Sequence, residues 1–223
     1  MEKNIKINTA LTEEEIIQKI VQGERSLFEI LIRRYNPALY KVCRSYGFNH
    51  HDAEDLMQEA YLTAYLQLSG FQHRASFKTW ITKILIHKCL YKLNYGHYKR
   101  EQPDSENLNI HTEPMHQAAN KTDVENAIIR REFSRVLEHH LEQLPVMYKT
   151  VFILREVEGF SVAETAELLN TTPVNVKVRL NRAKTMLQKK LEQFYSAAEI
   201  FEFNQIYCDG MVKKVFEKLN TLT

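Results

Sequence analysis

Cysteine, glycine, proline and tryptophan are all scarce in this chain, and each scarcity narrows what the protein can be. Three isolated cysteines in 223 residues (Cys43, Cys89 and Cys208) form no paired framework and no metal-ligand spacing, so a disulfide-stapled module and a zinc finger are both excluded. Six glycines and five prolines, set among long runs rich in Leu, Glu, Lys and Ile, argue for a mostly helical protein. No apolar run approaches the ~20 residues of a membrane span, so no membrane insertion of its own is expected. The opening MEKNIKINTALTEEE lacks the apolar core of a signal peptide, and the expected location is a reducing cytoplasm. What is present suits a soluble protein of one large domain or two small ones: 44% hydrophobic residues, 26% charged residues and a net charge of +2.

The most informative stretch is Ser161 to Leu187, which reads as two short helices joined by a tight turn. Ser161 and Glu164 form a capping-box pattern, in which hydroxyl and carboxylate each satisfy an orphan backbone N–H. Val162, Ala163, Ala166, Leu168 and Leu169 supply the apolar face of the first helix. Asn170 suits a left-handed stop, after which Thr172 serves as N-cap and Pro173 as the first helical residue. In the second helix Val176, Leu180, Ala183 and Leu187 share one face, while Lys177, Asn181 and Lys184, flanked by Val178 and Arg182, share the other. Four Lys/Arg and no acidic residue lie between Val174 and Leu187. This is the pattern of a helix-turn-helix whose second helix enters a DNA major groove; an antiparallel helix pair with a solvated basic face gives part of it too.

Upstream, Thr12 with Glu15 opens a helix closed by Gly23. A second is expected from about Ser26 to Tyr46, with Leu27, Ile30, Leu31, Tyr35, Leu39 and Val42 inward. Asp52 is read as the cap of a third, ending near Leu68, and a fourth runs from near Ser76 to about Tyr95. From Gly96 to about Thr122 periodicity disappears into a polar stretch that reads as a flexible tether between two lobes, open to fast proteolysis. Helices resume from about Val124 to Gln143 and again from Pro145 to Gly159.

Charge is segregated along the first lobe. From Asp52 to Gly70 there are four acidic residues and no Lys or Arg; from Phe71 to Arg100 there are seven Lys/Arg and no acidic residue. The basic stretch is interleaved with Phe71, Phe77, Trp80, Tyr91, Tyr95 and Tyr98, and positive charge beside aromatic rings is what single-stranded nucleic acid needs.

Taken together, DAEDLMQEAYLTAY (Asp52 to Tyr65), FQHRASFKTWITKIL (Phe71 to Leu85) and the block from Leu141 to Lys184 resemble bacterial RNA polymerase sigma factors of the sigma-70 family. The likeness is greatest to the small extracytoplasmic-function group, which keeps only regions 2 and 4. It implies an all-α fold of two small helical domains: region 2 at 11–96, a linker at 97–122, region 4 at 123–194 and a short helical extension at 195–223. It also implies promoter recognition and melting in partnership with core RNA polymerase, promoter DNA and an anti-sigma factor, with no catalysis and no cofactor. By the resemblance, Asp52, Glu54, Asp55, Gln58 and Glu59 dock on core polymerase. The loop Ser69 to Ser76 and its following helix, with Arg74, Ser76, Lys78, Trp80, Lys83, His87, Lys88 and Lys92, take the −10 element and an unpaired base. Thr172, Asn175, Lys177, Val178, Asn181, Arg182 and Lys184 read the −35 element. Relatives often carry Asn where His87 stands, and Trp80 is as readily a core residue as a DNA contact.

Two other readings lack support in the spacing. Asp52, Asp55 and Glu59 share a helix face, and nine histidines include His50-His51 and His139-His140, but neither set converges as metal ligands do. An ordinary DNA-binding regulator needs the helix-turn-helix but has no use for an acidic helix followed by a basic aromatic one. At the C-terminus, Met211, Val212, Val215, Phe216 and Leu219 recur at helical spacing, which predicts an amphipathic helix docked on the second lobe or packed between the lobes.

Overall fold

The computed structural model describes residues 11–100, 134–194 and Met211, with side chains for 11–94, 134–192 and 211. The expected tether beyond residue 100 and the predicted tail helix beyond Met211 lie outside the described residues. The chain divides into two compact units, Met1–Lys184 and Thr185–Thr223. Every regular element among the described residues is helical.

Four helices build the first lobe: α1 (Glu13–Val21), α2 (Phe28–Ser45), α3 (His50–Gln67) and α4 (Phe77–Arg100). Thr12 and Glu15 close the expected capping box on α1, with the Glu15 N–H on Thr12 Oγ1 at 3.3 Å and the Thr12 N–H on Glu15 Oε2 at 2.7 Å. A 3-10 turn, Arg25–Leu27, leads into α2, which runs unbroken across Pro37. Proline there removes one helical donor, and the Tyr61 hydroxyl of α3 donates to the Ile32 carbonyl at 3.2 Å in the same stretch.

The cap of α3 is Asn49, not Asp52: Asn49 Oδ1 accepts the Asp52 N–H at 2.8 Å. Asp52 stands in the first turn, where a carboxylate suits the positive end of the helix dipole. Asn49→Ala is expected to cost about 0.5–2 kcal/mol of stability, read as a lower urea midpoint at unchanged slope. Helix α4 begins on a Ser76 cap, with the Thr79 N–H on Ser76 Oγ at 3.1 Å. It continues through Gly96 to Arg100 and so enters the expected tether, because extending a formed helix fixes one residue per bond gained.

Leu31, Leu39, Val42, Leu56, Phe77, Ile81, Leu85 and Ile86 are buried where α2, α3 and α4 meet. Ala53, Ala60 and Ala64, all fully buried, keep α3 slim enough for its neighbours to approach. Cys43 and Cys89 lie in the same core with their sulfurs 3.9 Å apart. That contact with Cys89 and burial both push the Cys43 thiol far above its ordinary value, and both cysteines, fully buried, serve as small apolar filler.

The second lobe consists of α5 (134–142), α6 (Val146–Phe152) continued by a π-helical turn (Ile153–Val157), α7 (Val162–Leu168) and α8 (Pro173–Phe194). Gly159 ends the π turn at φ +74, and the Arg155 guanidinium donates to the Phe160 carbonyl across it. A small cluster of Val151, Ala166 and Val176 fills the inside of this lobe. Three more of its buried residues, Leu154, Phe160 and Leu168, join the core of the first lobe. The two lobes are therefore packed against one another on shared apolar residues.

Candidate nucleic-acid interface

The helix-turn-helix forms as its residues dictate. Ser161 and Glu164 cap each other, with the Ser161 N–H on Glu164 Oε2 at 2.8 Å and the Glu164 N–H on Ser161 Oγ at 3.1 Å. Bonds from the Ser161 N–H and hydroxyl hold the Glu164 carboxyl below its ordinary value. Asn170 takes the left-handed conformation at φ +46, and Thr172 Oγ1 accepts the Asn175 N–H at 3.2 Å as the cap of α8. One difference appears in α7: Ala163 faces outward and Thr165 is buried. With Ser161 as cap, the inward positions of this seven-residue helix fall on Thr165, Ala166 and Leu168.

Within the first unit, Val176 and Ala183 pin α8 inward and Leu180 is half-buried. Thr172, Asn175, Lys177, Val178, Asn181, Arg182 and Lys184 are all exposed. Lys184 pairs with Glu156 at 3.0 Å, and Arg182 Nη1 lies 3.4 Å from the Tyr148 hydroxyl. Val174 is also exposed, at 68%; an apolar residue on a polar helix face was the available signal for it.

On α3, Glu54, Asp55, Gln58 and Glu59 face solvent and Asp52 is half-buried. Asp52 receives Lys92 of α4 at 2.5 Å and Glu59 receives Lys88 at 3.3 Å. One and two turns further along, Leu62 and Leu66 are 65% and 78% exposed, continuing the acidic face as an apolar one. They lie three and seven residues after Glu59, on the same face of the helix. Among the described residues no group of three His, Cys, Asp or Glu side chains is placed to hold a metal ion.

Around α4, Arg74 and Ser76 are exposed on the preceding loop, and His87 is exposed on the helix. His73 sits in the same loop at φ +52. An open cavity of about 560 Å³ lies beside it, lined by Thr12, Glu13, Glu14, His73, Ala75, Ser76 and Phe77. Trp80 packs on Phe71 at 4.8 Å and Phe77 at 5.7 Å between ring centroids and remains half-buried.

Four lysines of α4 are engaged by carboxylates from both directions. Lys88 and Lys92 reach α3, as above, while Lys78 and Lys83 reach the second lobe. Lys78 Nζ lies 3.0 Å from Glu158 Oε2, 2.7 Å from the Glu158 carbonyl and 4.9 Å above the Phe160 ring. Lys41 of α2 approaches the same Glu158 carboxylate at 3.0 Å. Thr79 Oγ1 donates to Glu164 at 3.0 Å, and Lys83 pairs with Glu167 at 2.7 Å. Arg44 meets Glu142 at 2.5 Å and Ser45 Oγ donates to Thr150 Oγ1 at 3.2 Å on the same side of α2. Burial alone would raise the Glu158 carboxyl, but the bonds from Lys78 and Lys41 outweigh it and hold it below its ordinary value.

Residues 31–96 match the family described as Sigma-70 region 2, and residues 134–187 match Sigma-70, region 4. The chain is similar to the ECF RNA polymerase sigma factor SigW of Bacillus subtilis, 27% identical over 184 residues that cover 78% of this chain and 94% of that protein. It is also similar to the ECF RNA polymerase sigma-E factor of Haemophilus influenzae, 26% identical over 186 residues that cover 82% and 96% of the two chains. Among solved structures, the sigma factor RpoE from Bartonella quintana, crystallised with the anti-sigma factor NepR, has a TM-score of 0.59 at 23% identity. That likeness covers 74% of this chain and 96% of the other, and it is one of fold.

Proposed function

This chain belongs to the sigma-70 family of RNA polymerase sigma factors, in its extracytoplasmic-function group, and we propose that three of its surfaces divide the work of transcription initiation. It binds core RNA polymerase and directs promoter recognition and melting. The α3 face of Asp52, Glu54, Asp55, Gln58 and Glu59, extended by Leu62 and Leu66, docks on core polymerase. Carboxylates around an exposed apolar pair repel DNA and offer a desolvated centre to a protein partner. Arg74 and Ser76 of the loop, with Lys78, Trp80, Lys83, His87, Lys88 and Lys92 of α4, hold the −10 strand. There the lysines neutralise phosphate and the Phe71–Trp80 cluster offers a stacking surface. The exposed face of α8, from Thr172 to Lys184, reads the −35 duplex. Domain boundaries follow the same division: region 2 over 11–96, a linker over 97–122, region 4 over 123–194 and an extension over 195–223. An anti-sigma protein is the expected inhibitor and the cytoplasm the expected location. The chain itself carries no phosphoryl chemistry, which belongs to the polymerase.

The observation that carries this division is the juxtaposition of an acidic, partly apolar face on α3 with a basic aromatic helix, in a chain that also presents a helix-turn-helix. The test is reconstitution with core polymerase. Purified chain should co-elute with core and support promoter-dependent run-off transcription, and Asp55→Lys with Glu59→Lys should abolish co-elution while leaving duplex binding by α8 intact. Retention of core binding in that double variant removes α3 from the docking role; duplex binding with no core association at all favours a simple DNA-binding regulator.

A further inference from the structure

We propose that Val174 and Val178 are specificity-determining residues of the −35 reading face, each packing on the 5-methyl group of a thymine in the major groove. This rests on the reading that α8 enters that groove. Val174 is the second residue of α8 and Val178 lies one turn further on; they are 68% and 43% exposed. Each stands two residues from Val176, which is fully buried. At 3.6 residues per turn both therefore project roughly 160° away from the packed side of the helix. They form the centre of its outward surface, with Lys177 to one side and Arg182 to the other, both exposed.

Folding gives no reason for the pair. β-Branched residues are poorer helix formers than Ala, Lys or Gln, and among the described residues neither valine joins a buried cluster. What the surface meets does explain them. From Val174 to Leu187 there are four Lys/Arg and no acidic residue, a charge that draws a duplex by its phosphates. In the major groove the apolar feature of a base-pair edge is the C5-methyl of thymine, and the first residues of a recognition helix are those that reach base edges. Valine has one side-chain torsion, stiff in a helix, so its two methyl groups are held in place before DNA arrives. Side chains one turn apart lie about 5–6 Å from each other at Cβ, against a rise of about 3.4 Å per base pair. The two thymines accordingly stand one or two base steps apart.

The test is binding of the reconstituted holoenzyme to a promoter duplex in which each thymine of the −35 element, on either strand, is replaced in turn by deoxyuridine. That change removes the methyl and leaves every hydrogen-bonding group of the base. The expected result is two positions, one or two base steps apart, at which affinity falls about fourfold, the worth of one methyl group taken out of water. Val174→Ala should abolish the loss at one of these positions and Val178→Ala at the other. Both variants should fold at least as stably as wild type, because alanine favours the helix. A scan with no sensitive thymine, or a loss that persists in both alanine variants, overturns the proposal. Lys177→Ala and Arg182→Ala, measured alongside, separate it from the reading on which it rests. If they weaken binding while the scan stays flat, α8 reads the element without its valines; if they too change nothing, the reading of α8 fails as well. Alanine variants that bind every duplex as wild type does but lose core polymerase assign the pair to a protein partner, which also overturns the proposal.

Discussion

Phe77→Ala should lower the stability of the chain by about 3–5 kcal/mol, the range for deleting a fully buried aromatic ring. Phe77 is the first residue of α4 and is completely buried. Its ring meets Tyr35 at 5.6 Å, Trp80 at 5.7 Å and Phe71 at 6.0 Å between centroids, so three large side chains from α2, α4 and the preceding loop lose a common neighbour. These rings cannot collapse together without moving the loop that carries His73 and Arg74. The damage should therefore appear twice: as a large fall in the urea midpoint, and as impaired promoter melting at temperatures where the variant is still folded. Phe77→Leu, which keeps most of the volume, should cost less than half as much. A loss below about 1 kcal/mol for the alanine variant would mean that the cluster is loosely packed and does not position the loop.

The local features were legible because their causes are local. Thr12 with Glu15, Ser161 with Glu164, Ser76, Asn170 and the Thr172-Pro173 pair all act within four residues of themselves, and each caps or stops a helix as its chemistry requires. Asp52 misled because an acidic residue in the first turn and an acidic cap look alike in sequence; the amide oxygen of Asn49, three residues earlier, takes the bond. The π turn at Ile153–Val157 adds a residue to a turn without altering composition, so no periodic signal marks it. Helix α4 outruns its amphipathic pattern because its final turns have no strong apolar face, which removes the signal but not the hydrogen bonds.

The three candidate surfaces were legible in a different sense. Segregated charge and the split faces of α8 marked the stretches, the family resemblance supplied the individual residues, and the structure leaves most of them exposed. Which charges meet inside the chain could not be read. Lys78 and the Glu158 carbonyl are 80 residues apart, and Lys83 and Glu167 are 84 apart, so their encounter depends on how the lobes pack rather than on any spacing. Leu154, Phe160 and Leu168 posed the same difficulty: their apolar character indicated a core, but the core they enter is that of the other lobe. Leu62 and Leu66 were hidden for the opposite reason, since exposed leucines on a regular helix carry the same letters as buried ones.

Lys177→Ala and Arg182→Ala should each weaken promoter binding by the reconstituted holoenzyme by about 1–3 kcal/mol if the side chain meets a base edge. If it meets phosphate instead, each should lower the salt slope of binding by about one with little change in sequence preference. Both residues are exposed on the face of α8 opposite the buried Val176 and Ala183, so truncation removes reach without opening the lobe. Lys184 provides the internal comparison. It lies on the same exposed face, but its ammonium is paired with Glu156 at 3.0 Å, and a lysine that must first leave a partner yields less on binding. Lys184→Ala should therefore cost less than either of the other two, and Glu156→Gln should recover part of the difference by releasing Lys184 for DNA. The measurement is a titration of holoenzyme against promoter duplex at several salt concentrations, with the −35 sequence varied one base pair at a time. Unchanged affinity and salt slope in both Lys177→Ala and Arg182→Ala would remove α8 as the reading helix.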